Sequence, residues 1–145
     1  MDRRSFLFMG ASFGLVALFS PRSAFASSRL EEEVRKRLGV PLSQIQQSDQ
    51  VSINAPTIAE SGANIPITVE STIPAERVEH LWIFADKNPV PWITDVRMTP
   101  VKMQFYFSTR IKMGETSNVR AILKLKDGSY VMNLREVKVT AGGCG

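Results

Sequence analysis

Residues 119–139 read VRAILKLKDGSYVMNLREVKV, which is two runs of alternating apolar and polar residues joined at Asp127-Gly128. Alternation with a period of two is typical of half-buried β-strands. Asp-Gly between two such runs indicates a hairpin, because both central positions of a tight turn need a positive φ, which Asp tolerates and Gly adopts freely. The stretch therefore predicts two antiparallel strands.

The same alternation recurs in four earlier runs that begin near Gln50. Their apolar positions are Val51 and Ile53; Ile65, Ile67 and Val69; Val78, His80, Trp82 and Phe84; and Val101, Met103, Phe105 and Phe107. Proline and glycine residues separate the runs, as expected for turns between short strands. Six or seven such strands predict an all-β fold, an immunoglobulin-like antiparallel β-sandwich.

Most aromatic side chains after residue 80 are expected in the core of the sandwich, because aromatic residues at period-two spacing are typical of a core. They are Trp82, Trp92, Phe105, Phe107 and Tyr130. If Phe105 and Phe107 point inward, Tyr106 points outward. An exposed aromatic residue on a strand is typical of a protein interface, so Tyr106 is a candidate partner contact.

A short amphipathic helix is predicted at residues 29–38, ahead of the strands. Its apolar residues recur three to four positions apart, at Leu30, Val34 and Leu38. Ser28 and Glu31 have the Ser-x-x-Glu spacing of a capping box, which marks the start of a helix. Gly39 marks its end.

Residues 1–26 have the plan of a bacterial export signal, with Arg3-Arg4, an apolar run from Phe6 to Phe19 and the small-residue site Ala24-Phe25-Ala26. The paired arginines and the weakly hydrophobic run resemble a twin-arginine signal, a type that carries folded proteins. We expect cleavage after Ala26 and release into the periplasm. The general secretory route, a membrane anchor and a buried N-terminal helix are the alternatives.

Removal of residues 1–26 leaves 119 of the 145 residues, which is the size of one domain. We predict a helix plus β-sandwich at residues 27–140 and a flexible arm at 141–145. The net charge of +4 falls to +2 without the signal, and the basic residues form no stripe, which argues against nucleic-acid binding. With 43% hydrophobic and 22% charged residues, the composition excludes collagen-like, disordered and multi-span membrane proteins.

His80 is the only histidine, and it stands in a predicted strand far from the only cysteine, Cys144. A zinc or copper site has too few soft ligands in this chain. A catalytic triad would also have to use His80, and no nucleophile signature accompanies it. We therefore expect no metal, no cofactor and no catalytic residue, and a structural role for His80.

The chain ends in Gly142-Gly143-Cys144-Gly145, so a thiol follows the last predicted strand between glycines. Glycine gives such a segment the largest conformational freedom. Counted from Thr140, the five residues to Cys144 can reach about 17 Å from the sandwich. With an ordinary thiol pKa, a few per cent of Cys144 would be thiolate at neutral pH, which suits a passive attachment point.

The tail resembles that of the SoxY family, the carrier subunits of bacterial Sox thiosulfate oxidation. Three further segments are similar to the family pattern: Ala55–Ala63, Asn88-Pro89 and Val137–Thr140. The family ends in Gly-Gly-Cys-Gly-Gly, and this chain has one glycine fewer. The resemblance implies a sandwich fold, covalent attachment of sulfur intermediates to Cys144, and a swinging arm made flexible by Gly142, Gly143 and Gly145.

The resemblance also implies partners, and a carrier that is not itself an enzyme. A SoxZ-like subunit would form a heterodimer with the chain and could be exported with it. Haem c SoxXA would couple thiosulfate to Cys144, the SoxB hydrolase would release sulfate, and in some hosts a sulfane dehydrogenase would oxidise the remaining sulfur.

Two other hypotheses explain the same tail. The chain could be a non-catalytic periplasmic sandwich whose terminal cysteine forms an intermolecular disulfide. It could also be a ubiquitin-like sulfur carrier that uses Gly142-Gly143 after loss of Cys144-Gly145, which predicts a helix packed on one small mixed sheet instead of two sheets.

Overall fold

The computed structural model describes the backbone of residues 21–141 and the side chains of residues 27–141. Most of the predicted signal, at residues 1–20, therefore lies outside the described residues. So does the predicted attachment residue Cys144, together with Gly142, Gly143 and Gly145.

The described chain holds one α-helix, two short 3-10 helices and nine strands. The helices are α1 (Pro21–Leu38) and the 3-10 segments Leu42–Gln44 and Ala75–Arg77. The strands are β1 (Gln46–Gln47), β2 (Val51–Asn54), β3 (Ile58–Ala59), β4 (Ile65–Pro74), β5 (Val78–Ala85), β6 (Trp92–Arg97), β7 (Gln104–Ile111), β8 (Ser117–Leu125) and β9 (Tyr130–Val139).

The strands form two sheets, which confirms the predicted β-sandwich. One sheet has the order β1-β9-β8-β5-β6, with β3 also paired to β9, and the other has the order β2-β4-β7. Seven of the nine strands have four or more residues, in agreement with the six or seven strands predicted. The two-residue strands β1 and β3 pair parallel to β9, so the sheet is not wholly antiparallel. Two facing sheets are not the single mixed sheet of a ubiquitin-like carrier.

The prediction missed strand β6 and placed the start of β7 too early. The alternation gave no signal for β6, because this edge strand contains no fully buried residue and so no apolar run. Strand β7 begins at Gln104 rather than at Val101. The Met103 N–H donates to the Val101 carbonyl at 3.0 Å, which bends the chain here and leaves both apolar side chains exposed.

The hairpin between β8 and β9 is present, but its turn is not of the predicted kind. Gly128 has a φ of +88°, whereas no other described residue except Gly39 has a positive φ. The Gly128 N–H donates to the Leu125 carbonyl at 3.0 Å, and the Leu125 N–H donates to the Ser129 carbonyl at 2.8 Å. This pattern is that of a turn followed by a glycine bulge, which needs the left-handed conformation only at the glycine.

Strand β5 lies between two hydrophobic cores. After Val78, the core that its side chains enter differs from the prediction. A register shift between Val78 and His80 reverses the sides of the strand. After it, Leu81 and Ile83 face the space between the sheets, while Trp82 and Phe84 face away from it toward α1. Both faces of the strand are buried, so alternation in the sequence could not distinguish them.

Helix α1 covers the outer face of the larger sheet. Leu30 and Val34 of the helix are buried with a set of strand side chains. That set is Trp82, Phe84, Ile122 and Met132. The guanidinium of Arg37 lies 3.6 Å from the Trp92 ring centre, a cation–π contact that adds to the helix–sheet packing.

Helix α1 ends where the sequence predicts and begins earlier. It begins at Pro21 and continues through Ser28, so Ser28 is not its N-cap and the predicted capping box does not form its start. At the other end, Gly39 has a φ of +76° and its N–H donates to the Arg35 carbonyl at 2.9 Å, a common helix stop. The described part of the chain holds no helix with the length and apolar character needed to cross a membrane.

Candidate functional site

The described residue nearest in sequence to Cys144 is Ala141, two residues after β9 ends at Val139. The structure therefore shows the base of the predicted arm rather than the thiol. Val137 pairs with Ser117 of β8 on one side of β9, and Val139 pairs with Ala59 of β3 on the other. The base of the arm thus lies inside the sheet, between two neighbours, rather than at a free edge.

Hydrogen bonds continue past the end of β9 as far as Ala141. The Thr140 N–H donates to the Ala59 carbonyl at 3.1 Å, and the Thr140 Oγ1 donates to the Glu60 carbonyl at 3.1 Å. The Ala141 carbonyl accepts a hydrogen bond from the Gly62 N–H at 2.8 Å. We call Thr140, Ala141 and the segment 59–62 that holds them the arm base.

A second layer of loops supports the arm base. The Gly62 carbonyl accepts a hydrogen bond from the N–H of Met113 at 2.8 Å. The Asn88 side chain, 3% exposed, donates from Nδ2 to the Lys112 carbonyl at 2.9 Å and accepts at Oδ1 from the Gly114 N–H at 3.2 Å. Asn88 therefore holds the chain on both sides of Met113.

The three upstream segments that resemble the SoxY pattern come together at this end of the sandwich. Part of 55–63 forms β3 and the arm base, 137–140 is the end of β9, and Asn88 supports the loop that contacts Gly62. These segments could be identified in the sequence, but no role was predicted for Asn88, because its partners Lys112 and Gly114 are 24 and 26 residues away in the chain.

His80 has the packed environment of a structural residue. Its Nε2 lies 2.7 Å from Asp95 Oδ2, and its ring stacks on Trp82 with the centres 4.0 Å apart. The Trp92 Nε1 donates to the other oxygen of Asp95 at 3.2 Å. Within residues 27–141, no three His, Cys, Asp or Glu side chains come together in a way that could hold a metal ion.

A buried ion pair that the sequence did not indicate lies beneath α1. Arg120 donates from Nε and Nη2 to the two carboxylate oxygens of Asp86, at 3.0 and 2.8 Å. The pair borders a cavity of about 300 Å³ that Leu30 and Leu42 also line. Because both carboxylate oxygens are engaged with the guanidinium, the pair ties β8 to the end of β5.

Tyr106 points outward, as predicted, while Phe105 is fully buried. Tyr106 and Met103 are each 59% exposed, and Val101 nearby is 47% exposed. An open groove of about 650 Å³ runs between Met103 and the end of β4. These three apolar residues, which we call the Tyr106 patch, lie in β7 or just before it, in the sheet on which α1 does not pack.

The family model for the sulfur oxidation protein SoxY matches residues 38–144. The chain belongs to the SoxY family. The matched range covers the sandwich and ends at Cys144. A solved structure, the sulfur carrier protein SoxY from Chlorobium limicola f thiosulfatophilum, is similar with a TM-score of 0.70 and 32% identity, over 82% of this chain and 98% of that one.

Other solved structures share the SoxY fold without close sequence similarity. A superoxide reductase (neelaredoxin) from Ignicoccus hospitalis matches with a TM-score of 0.55 and 14% identity, over 67% of this chain and 96% of that one. A putative superoxide reductase from Thermotoga maritima matches with a TM-score of 0.58 and 15% identity, over 69% of this chain and 98% of that one. Identities this low show the fold alone. No curated protein matches the chain.

Proposed function

We propose that the protein is a periplasmic carrier of sulfur intermediates in thiosulfate oxidation, with the intermediates bound covalently to Cys144. The observation that carries the proposal is the SoxY family match, which extends through the sandwich to the only cysteine of the chain. The 32% identity to a structure described as a sulfur carrier protein supports the same role. The carrier presents its substrate and leaves catalysis to other proteins.

The proposed chemistry begins with a disulfide bond between Cys144 and thiosulfate. The Cys144 thiol would lose its proton, its sulfur would bond to the outer sulfur of thiosulfate, and the two electrons released would pass one at a time to haem c of SoxXA. The SoxB hydrolase then adds water to the terminal sulfonate, which leaves as sulfate while a persulfide stays on Cys144. A sulfane dehydrogenase would oxidise that remaining sulfur in hosts that have one.

The arm base limits how far Cys144 can move. Thr140 and Ala141 are hydrogen-bonded to 59–62, so the proposed arm would begin after Ala141, and residues 142–144 would join this fixed point to the thiol. Three residues span about 11 Å, which is less than the 17 Å expected if the arm begins at Thr140. Enzymes that act on Cys144 must therefore dock on this end of the sandwich, where Ile58 is 57% exposed and Val90 is 56% exposed.

We assign the Tyr106 patch to the second carrier subunit, a SoxZ-like protein. The larger sheet carries α1 on its outer face, whereas no described helix covers the face of β2-β4-β7 that bears Tyr106. An exposed tyrosine beside exposed methionine and valine has the composition of an interface core. The patch leaves the arm end of the sandwich free for the enzymes.

The proposed export is compatible with the packing of α1. Cleavage after Ala26 would cut within the first half of the helix and keep Ser27–Leu38. The two helix residues that join the core, Leu30 and Val34, both follow that site. Processing would therefore leave these contacts with the sheet in place.

Replacement of the thiol by a hydroxyl tests the carrier role. We expect Cys144→Ser to abolish thiosulfate oxidation in a reconstituted system, with the circular dichroism spectrum and the complex with the second subunit unchanged. Alkylation of the wild-type protein is the matched control, because Cys144 is its only cysteine. Turnover by the Cys144→Ser variant at the wild-type rate would overturn the proposal.

A further inference from the structure

We infer that Asn88 is a positioning residue that fixes the point from which the carrier arm leaves the sandwich; the inference rests on the proposed role of Cys144. Among the described residues, Asn88 makes no hydrogen bond to Thr140 or Ala141. It acts through a chain of hydrogen bonds that passes from the 112–114 loop to Gly62 and from Gly62 to Ala141.

Asn88 is well placed to hold a loop in one position. Its backbone N–H donates to the Ala85 carbonyl at 3.2 Å, which ties the residue to the end of β5, a strand paired on both sides. Its amide then binds the Lys112 carbonyl and the Gly114 N–H, the two backbone groups that flank Met113. Because Asn88 is buried, water cannot readily replace either hydrogen bond. Removal of the Asn88 amide would therefore leave the Lys112 carbonyl and the Gly114 N–H without these partners.

The loop in turn fixes Gly62. Met113 is fully buried, and its N–H donates to the Gly62 carbonyl at 2.8 Å, while the N–H of Gly62 donates to the Ala141 carbonyl at 2.8 Å. The Gly62 carbonyl is thus bonded to the 112–114 loop, and the Gly62 N–H is bonded to Ala141 of the arm base. The Thr140 bonds to Ala59 and Glu60 add two attachments to the same segment.

Release of the arm base would lengthen the arm. With Thr140 and Ala141 free, five residues rather than three would separate Cys144 from the fixed part of the chain. The effective concentration of a tethered group falls as about the −3/2 power of tether length, so it would fall about twofold at the active site of a docked enzyme. The fixed base thus keeps the thiol close to the surface on which the enzymes dock.

Amide hydrogen exchange of the full mature chain, in wild type and Asn88→Ala, tests the inference directly. If Asn88 only shapes its own loop, exchange rises at Met113 and Gly114 alone. If Asn88 positions the arm, exchange also rises about fivefold or more at Gly62 and Thr140, whose N–H groups hold the arm base. Exchange at Gly62 and Thr140 that matches wild type would overturn the inference.

Asn133→Ala is the matched control for general destabilisation. Asn133 also bonds through both ends of its amide, donating to the Val51 carbonyl at 2.7 Å and accepting from the Leu134 N–H at 2.8 Å. It lies on β9, seven residues before Thr140, which is about 23 Å along a strand. We expect this variant to leave exchange at Gly62 and Thr140 within about twofold of wild type.

A milder variant covers the case in which Asn88→Ala does not fold. Asn88→Ser adds no charge and keeps a hydroxyl that can hydrogen-bond to one of the two loop groups, so it should raise exchange at the same amides by a smaller factor. Unchanged exchange at Gly62 and Thr140 in this variant would also overturn the inference.

Measurement of sulfur loading distinguishes a failure of this inference from a failure of the proposed function. On the folded Asn88 variant, we expect the loading rate of the docked complex to fall about twofold while docking affinity stays at the wild-type value. A wild-type protein that takes up no sulfur would contradict the proposed function. Exchange that rises only at Met113 and Gly114 would contradict the positioning role instead.

Discussion

Asp127 holds the β8–β9 turn through its carboxylate. Its Oδ1 accepts hydrogen bonds from the Ser129 Oγ at 2.6 Å and from the Ser129 N–H at 2.9 Å. These bonds, first the side-chain bond and then the backbone bond, hold the pKa of Asp127 below its ordinary value, and the positive charge of Arg77 adds to the effect. The ionised carboxylate is therefore the form that stabilises the turn.

The lowered pKa of Asp127 predicts a pH-dependent contribution to stability. A carboxyl group whose pKa is lower in the folded state stabilises the protein above its unfolded pKa, and the contribution is lost as pH falls through the folded pKa. We expect Asp127→Asn to lower the urea unfolding midpoint at neutral pH and to differ little from wild type at about pH 2. Asp49→Asn, at another exposed turn, controls for the loss of one negative charge. A difference that stays constant with pH would contradict this account.

The dipeptide Asp127-Gly128 predicted the hairpin but not the form of its turn. Asp-Gly is compatible with a turn in which both residues have a positive φ and with one in which only the glycine does. Ser129 supplies the two hydrogen bonds that engage the Asp127 carboxylate. A motif of two residues does not contain that third partner.

Helix α1 gives the larger sheet a second hydrophobic core, on the face away from the smaller sheet. Leu30 and Val34 pack with Trp82 and Phe84, although Trp82 was predicted to lie in the core between the sheets. The helix is amphipathic in sequence, so its existence was predictable. The face of the sheet that it covers was not, because β5 is apolar on both sides after its register shift.

Truncation of Leu30 measures how much the helix–sheet core contributes to stability. Because Leu30 is buried against the sheet, we expect Leu30→Ala to lower the free energy of unfolding by about 2–5 kcal/mol, with no change in the urea slope. Glu32→Ala, at an exposed position of the same helix, should change it by less than about 0.5 kcal/mol. Equal effects of the two changes would show that the helix is not packed as described.

Three surfaces of the sandwich lie apart: the face covered by α1, the opposite face with the Tyr106 patch, and the end from which the proposed arm leaves. The proposed arm could be predicted from the sequence because its motif is contiguous, from Gly142 to Gly145. The arm base was not, because Thr140, Gly62, Met113 and Asn88 are far apart in the chain and meet only in the folded protein.

The separation of surfaces predicts that subunit binding and enzyme docking can be impaired independently. We expect Tyr106→Ser to weaken the complex with the second subunit by about tenfold or more, because an exposed tyrosine at an interface centre contributes strongly to affinity. Ile58→Ser is the matched control: Ile58 is 57% exposed against 59% for Tyr106, but it lies at the arm end. Titration calorimetry measures both affinities. A larger loss for Ile58→Ser than for Tyr106→Ser would place the subunit at the arm end.

Intact-mass spectrometry tests the carrier role most directly, on protein purified from periplasm without reductant after growth with and without thiosulfate. The account predicts added mass that matches sulfane or thiosulfonate groups after growth on thiosulfate. Peptide mapping should place that mass on Cys144, and reduction should remove it. A doubled mass from a disulfide-linked dimer, with no sulfur adduct under either condition, would contradict the account.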